Sequence, residues 1–105
     1  MTDVRVSVTF RHTRPTEALK HYAEEKVHKI GKYFYRPLDA HVVLSVDSRD
    51  RQIAEVTLLA RQLAIHGREE TTDLYSAIDL VMDKLEQQVR KHKTKTRLRR
   101  RRIKA

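Results

Sequence analysis

The chain has 105 residues, with 23 Lys and Arg against 14 Asp and Glu, and it contains no Cys. This length fits one domain, and the lack of Cys excludes disulfides and any thiolate site. No stretch approaches the roughly 20 apolar residues of a membrane span, and the N-terminus lacks the apolar core of a signal peptide. We therefore expect a cytoplasmic protein.

The net positive charge is concentrated at the C-terminus. Residues 90–105 hold ten of the Lys and Arg and no acidic residue, whereas residues 1–89 hold thirteen basic and fourteen acidic residues. A polyanion is the natural partner of such a segment, because each neutralised phosphate releases condensed counterions.

The first half of the chain changes its hydrophobic period once. Residues 4–10 alternate apolar and polar side chains, which predicts a half-buried strand. Over residues 16–35 the apolar positions recur every three or four residues, which predicts a helix. Thr16 is the expected N-cap, and we place the helix end near Tyr35, before Pro37.

The second half predicts three strands and a long helix. Alternating apolar residues indicate strands over residues 38–47, 53–61 and 63–68. Residues 73–95 carry an uninterrupted helical stripe without Gly or Pro. This helix is longer than a small sheet needs, so we expect its C-terminal turns to project beyond the core.

The element order β-α-β-β-β-α predicts an α+β fold. Each helix has one apolar stripe and each strand has one apolar side, so a two-layer sandwich buries them all. We expect a four-stranded sheet with both helices packed on one face. The predicted domain covers residues 1–96, and the polybasic residues 97–105 are expected to form a disordered tail.

No pattern in the sequence indicates catalysis. The six His residues form no metal-binding motif, and no phosphate-binding loop or nucleophile motif is present. Asp79 and Asp83 are spaced as neighbours on the second helix, and we interpret them as surface or inter-helix contacts. We therefore expect no enzyme activity, no cofactor, no metal and no small-molecule substrate.

Tyr22 and Tyr33 are predicted to border the core of the domain. Exposed aromatic residues that stack on bases are typical of proteins that bind single strands. With only six aromatic residues in the chain, this mode of binding is disfavoured.

Basic residues recur outside the apolar stripe of both helices. Their spacing aligns each set along one side of its helix, and two parallel helices would join the sets into a continuous basic strip. We expect the acidic residues elsewhere, toward the helix beginnings. The alternative interpretation is that these basic residues form an ordinary solvated helix face without a binding role. The residues are Lys26, Lys29, Lys32 and Arg36 on the first helix, and Lys84, Arg90, Lys91, His92, Lys93 and Lys95 on the second.

Residues 73–93, DLYSAIDLVMDKLEQQVRKHK, resemble the signature helix of the ribosome hibernation-promoting factors, also called ribosome-associated inhibitors or sigma modulation proteins. The first helix, TEALKHYAEEKVHKIGKYF, is also similar to the family's first helix, and the resemblance covers residues 4–95. The matching positions of the second helix are Asp73, Leu74, Tyr75, Ala77, Ile78, Asp79, Asp83, Lys84, Leu85, Gln88, Val89, Lys91, His92 and Lys93.

The resemblance implies a non-enzymatic bacterial protein that represses translation in stationary phase or stress. Its expected partner is the small ribosomal subunit, bound between head and body at the tRNA and mRNA sites through ribosomal RNA phosphates. A second hibernation factor is a further candidate partner. We call the predicted RNA-binding residues the basic helix face: Lys26, Lys29, Lys32, Arg36, Lys84, Gln88, Arg90, Lys91, His92, Lys93 and Lys95.

The sequence departs from the family in three places. Phe10, Arg11 and His12 stand where a Gly often follows the first strand, and the turn between the last two strands lacks the Gly of many members. Because the sequence ends at Ala105, we expect the short type, without the additional C-terminal domain of long members.

Other functions remain open from the residues alone. A generic module for double-stranded RNA or DNA would carry similar charge. A small enzyme is disfavoured because the sequence contains no plausible set of catalytic residues. A regulator at a membrane surface is disfavoured because the tail holds only two large apolar residues, Leu98 and Ile103. Whether the protein promotes or blocks ribosome pairing is undecided.

Overall fold

The computed structural model describes the backbone of residues 4–34, 37–61 and 63–104, and the side chains of these ranges as far as Lys91. The order β-α-β-β-β-α confirms the predicted α+β fold. The elements are β1 (Val4–Arg11), α1 (Glu17–Gly31), β2 (Leu38–Ser48), β3 (Arg51–Ala60), β4 (Leu63–Thr71) and α2 (Leu74–Lys104).

The four strands form one mixed sheet in the order β1-β2-β3-β4. β1 and β2 pair in parallel, since α1 provides the long crossover that a parallel pair requires. β2, β3 and β4 are antiparallel neighbours joined by two short hairpins, the second of which closes between Ala60 and Leu63 without a Gly. The C-terminal ends of β1 and β2 therefore lie at the same end of the sheet.

Both helices cover one face of this sheet, as predicted. The inward strand positions and the apolar stripes of the two helices join in a single core. Burial alternates along the strands because successive side chains point to opposite sides. Fully buried members with the largest side chains include Val27 of α1, Leu38, Leu44, Val56 and Leu58 of the sheet, and Ile78, Val81, Leu85 and Val89 of α2.

Helix α1 begins as predicted but ends earlier. The Thr16 hydroxyl accepts a hydrogen bond from the Leu19 amide at 3.2 Å and caps the helix. The helix ends at Gly31, not near Tyr35, and Tyr33 follows in a tight turn. Phe34 still packs into the core, so the apolar periodicity continues past the end of the helix. The predicted end of α1 near Tyr35 was wrong for this reason.

Gly31 is required where α1 meets β1. A Cβ atom at this position would lie 2.7 Å from Val4 Cγ2. Gly31→Ala is therefore expected to destabilise the domain by about 1 kcal/mol, because crowding exceeds the gain in helix propensity. Thermal unfolding measures the change. In the background of Val4→Ala, which removes Cγ2, the same substitution should be neutral or stabilising; an equal loss in both backgrounds would contradict this explanation.

Helix α2 begins with an acidic cap and runs further than predicted. The Asp73 carboxylate accepts hydrogen bonds from the Ser76 amide at 2.9 Å and the Ser76 hydroxyl at 2.6 Å. The helix continues to Lys104, past the end expected at Lys95, because no Gly or Pro interrupts it and Arg, Lys and Leu favour helices. The division into residues 1–96 and a disordered tail stays a prediction.

The Asp73 cap predicts a pH dependence of stability. Its hydrogen bonds with Ser76 lower the pKa of the Asp73 carboxyl. A lowered pKa in the folded state stabilises the fold above the unfolded value, near 4, and this contribution is lost as the pH falls through the folded value. We expect Asp73→Asn, which keeps a capping side chain, to lose less stability than the parent below about pH 4. Parallel loss of melting temperature in both proteins would contradict this.

Candidate RNA interface

Two tyrosines of the first helical segment connect it to α2. The Tyr22 hydroxyl donates to Asp79 Oδ1 at 2.5 Å, and the Tyr33 hydroxyl donates to Glu86 Oε1 at 2.7 Å. Both rings are half-buried and pack against the core, which confirms that they border it. Because the residue numbers rise together along the two segments, α1 and α2 run parallel.

Two cations of the basic helix face join these contacts. Lys26 Nζ lies 3.3 Å from Asp79 Oδ1 and 5.4 Å from the centre of the Tyr22 ring. The hydrogen bond to Asp79 is the main reason that the pKa values of Tyr22 and Lys26 are both raised. Arg90 donates to the Tyr33 hydroxyl at 2.8 Å and lies 3.4 Å from Glu86. Lys26 and Arg90 therefore contribute to holding the helices together.

Lys84 is also paired within the protein. Its ammonium group forms an ion pair with Glu69, which lies on the helix-facing side of β4 and is only 17% exposed. Lys84 itself is 63% exposed, so the net stabilisation is at most about 1 kcal/mol. Lys84 is thus paired with a residue of the sheet, although it is one of the predicted RNA-binding residues.

The remaining described lysines of the basic helix face are exposed. Within the described part of the chain, Lys29, Lys32 and Lys91 have no ion pair, and Lys32 Nζ lies 5.6 Å from the centre of the Tyr33 ring. Lys29 lies in the last turn of α1 and Lys32 caps it, where the helix dipole favours positive charge. These lysines can exchange water for phosphate without breaking an internal ion pair.

Four residues of the basic helix face have no described side chain. Arg36 lies outside the described residues. His92, Lys93 and Lys95 belong to α2, but their side chains are outside the described part of the structure. Gln88 is exposed on α2, between Lys84 and Lys91 in the sequence.

Among the described residues, the two sets of bases do not join into one continuous strip. α2 presents carboxylates to α1: Asp79 pairs with Lys26, and Asp83 and Glu86 line the groove opposite Lys29 and Lys32. The expectation that the acidic residues lie elsewhere was wrong. Sequence reasoning identified Asp79 as a possible inter-helix contact but missed the contacts of Glu86 with Tyr33 and of Glu69 with Lys84, which join distant parts of the chain.

The open face of the sheet has balanced charge. Arg51 lies 3.0 Å from Asp47 and 3.3 Å from Glu70, and Arg68 lies 3.6 Å from Glu55. These pairs leave little net attraction for a polyanion on the β2–β4 part of this face. Among the described residues, the helix side therefore holds the more available positive charge.

The described residues give no sign of other site chemistry. They contain no group of three or more His, Cys, Asp or Glu side chains arranged to hold a metal ion. Neither helix has, within the described part, an apolar stretch long enough to cross a bilayer.

Comparison with known proteins decides the family. Residues 6–97 match the family described as "Sigma 54 modulation protein / S30EA ribosomal protein". The chain belongs to this family. The match includes residues of all six elements and the described residues of the basic helix face, and it agrees with the resemblance found in the sequence of α2.

Curated relatives and solved structures agree with this assignment. The chain is 35% identical over 94 residues to a ribosome hibernation promotion factor of Lactococcus lactis, covering 88% of this chain and 51% of the relative. It is 39% identical over 82 residues to the factor of that name from Staphylococcus aureus, covering 76% and 43%. The chain thus spans about half the length of these curated relatives.

Among solved structures, the N-terminal domain of Thermus thermophilus Protein Y superposes with a TM-score of 0.77 at 31% identity, covering 86% of this chain and 98% of that one. A ribosomal subunit interface protein from Coxiella burnetii superposes with a TM-score of 0.74 at 24% identity, covering 90% and 99%. The second likeness supports the fold alone.

Proposed function

We propose that this protein is a ribosome hibernation factor that binds the small ribosomal subunit and represses translation in stationary phase or stress. The basic helix face would contact ribosomal RNA phosphates in the channel that tRNA and mRNA occupy. The protein would act in the bacterial cytoplasm by blocking this channel and would catalyse no reaction. A second hibernation factor is a candidate further partner.

One observation carries the proposal most strongly. Lys29, Lys32 and Lys91 are exposed without an internal ion pair in the described part of the chain. Lys29 and Lys32 lie at the C-terminal end of α1, and Lys91 follows Arg90, which contacts Tyr33 just beyond that end. From this end α2 continues to Lys104 with further Lys and Arg residues and no acid. Positive charge is thus available on the helix side and continues along α2.

Family membership supports the choice of partner. Lysine contacts with phosphate carry no sequence information, so the basic residues alone suit any polyanion. The two curated relatives are ribosome hibernation promotion factors, and this is why we favour the ribosome over free duplex RNA or DNA.

Cosedimentation with purified small subunits over a salt series tests the proposal. If about six to eight phosphates are neutralised, the logarithm of affinity should fall with the logarithm of salt concentration with a slope of about −5 to −7. Absence of binding at low salt, or binding that does not respond to salt, would reject it. Free duplex RNA serves as competitor: displacement by duplex at equal concentration would favour the generic module.

A further inference from the structure

The loop between β1 and α1 carries basic side chains that the fold does not use. Arg11 ends β1, and His12 and Arg14 follow it in the loop; all three are exposed. Within the described part of the chain, none of the three has an ion pair or a side-chain hydrogen bond. The charges of the two arginines and the ring nitrogens of His12 are therefore available to a partner.

The backbone of His12 is held in an unusual conformation. Its φ angle is 57°, in the left-handed region that Gly adopts without steric cost and other residues adopt reluctantly. Gly could adopt the same backbone conformation, so this conformation does not explain why residue 12 is a His. Backbone conformations of this kind cluster at ligand-binding sites and switch regions.

This loop lies at the opposite end of the domain from the lysines at the end of α1. Gly31 packs against Val4 at the start of β1, whereas Arg11 is the last residue of that strand. Seven steps of about 3.3 Å place Arg11 roughly 23 Å from Val4. This distance exceeds the Debye length of about 8 Å at physiological salt, so the two ends act on separate phosphates.

The acidic residues near this loop do not cancel its charge. The β2–β3 hairpin lies at the same end of the sheet; its Asp47 is paired with Arg51 at 3.0 Å, and its Asp50 is offset by the neighbouring Arg49 in the sequence. Glu17, in the first turn of α1, is the one acidic residue in the sequence between Arg11 and Lys20. The loop retains an excess of positive charge.

We propose that Arg11, His12 and Arg14 form a second phosphate-binding surface, the loop surface, which contacts an RNA backbone segment separate from the one bound by the basic helix face. The domain then bridges two RNA segments through its two ends. This inference rests on the proposed function and extends it, because it adds a contact that the helices do not make.

Removing two charges from the loop surface is the first test. Arg11→Gln with Arg14→Gln should weaken small-subunit binding by about 10- to 100-fold at low salt and make the salt slope shallower by about 2. The matched control is Arg5→Gln with Arg61→Gln, which removes equal charge at exposed positions outside both surfaces. An unchanged slope in the loop variant, or an equal loss in the control, would overturn the inference.

His12→Gly separates binding from folding. We expect this variant to keep or raise the melting temperature, because Gly adopts the left-handed backbone freely, and to bind small subunits more weakly than the parent. Unchanged affinity would contradict a role for the loop surface.

The lack of native Cys permits a direct test of the two contacts. An iron chelate attached to Thr13→Cys beside the loop surface, or to Gln87→Cys on α2, would cleave nearby ribosomal RNA. Two distinct sets of cleaved nucleotides are expected, and no cleavage from Thr13→Cys would overturn the inference. If the parent protein does not bind small subunits at all, the proposed function fails. If the parent binds and the loop variant shows the same salt slope as the parent, only the inference fails.

Discussion

Replacing Lys32 and Lys91 together by Glu is expected to lower affinity for the small ribosomal subunit by about 100-fold or more at moderate salt, while the domain stays folded. Both side chains are exposed and lack an ion pair within the described part of the chain. Each lysine that no longer neutralises a phosphate leaves about one counterion on the RNA, and the introduced carboxylates repel the RNA in addition. The fold should persist because neither residue lies in the core.

Affinity is measured by cosedimentation, and folding by circular dichroism and thermal unfolding. The control is Arg5→Glu with Arg61→Glu, which changes the net charge equally at exposed positions outside the basic helix face. If the control loses as much affinity as the lysine variant, net charge rather than the basic helix face determines binding. Lys84→Glu is a less suitable probe, because it places a second carboxylate beside Glu69 and affects the fold as well.

Truncating Leu85 should cause the largest loss of stability among the substitutions considered. Leu85 is completely buried on α2, and its side chain lies against Gly67 of β4. Leu85→Ala leaves a cavity between helix and sheet, so we expect a loss of about 3 kcal/mol, or roughly 12 to 24 °C in melting temperature. This is a large part of the roughly 5 to 15 kcal/mol typical of domains.

The same substitution on the exposed side of α2 provides the control. Leu80 is 45% exposed, so Leu80→Ala should change stability by no more than about 0.5 kcal/mol. Chemical and thermal unfolding of both variants measures the difference. Similar losses in the two variants would show that helix propensity, rather than packing against β4, controls the stability of α2.

Most of the fold could be predicted from the sequence because buried residues recur with a different period in strands and in helices. Alternating side chains marked β1 and β3, and positions recurring at three and four marked α2. The boundaries were less predictable. Phe34 continues the apolar pattern of α1 although the helix has ended at Gly31, since a residue after a helix can pack into the same core.

Less of the candidate interface could be predicted. The sequence indicates which residues are basic and which side of each helix they occupy, but not which acidic residue lies opposite each one. Asp79 is far from Lys26 in the sequence, and Glu69 lies on a different element from Lys84. Only the packing of α1 against α2, and of α2 against β4, brings these pairs together.

The sequence by itself therefore determined the element order, the two-layer fold class and the concentration of positive charge at the C-terminus. The tertiary structure decided which charges of the basic helix face are already paired with distant parts of the chain: Lys26 pairs with Asp79 and Lys84 with Glu69, whereas Lys29, Lys32 and Lys91 have no ion pair among the described residues. The reason is physical: side-chain charge depends on residue type, but its availability depends on the distance to the nearest opposite charge, which chain folding sets.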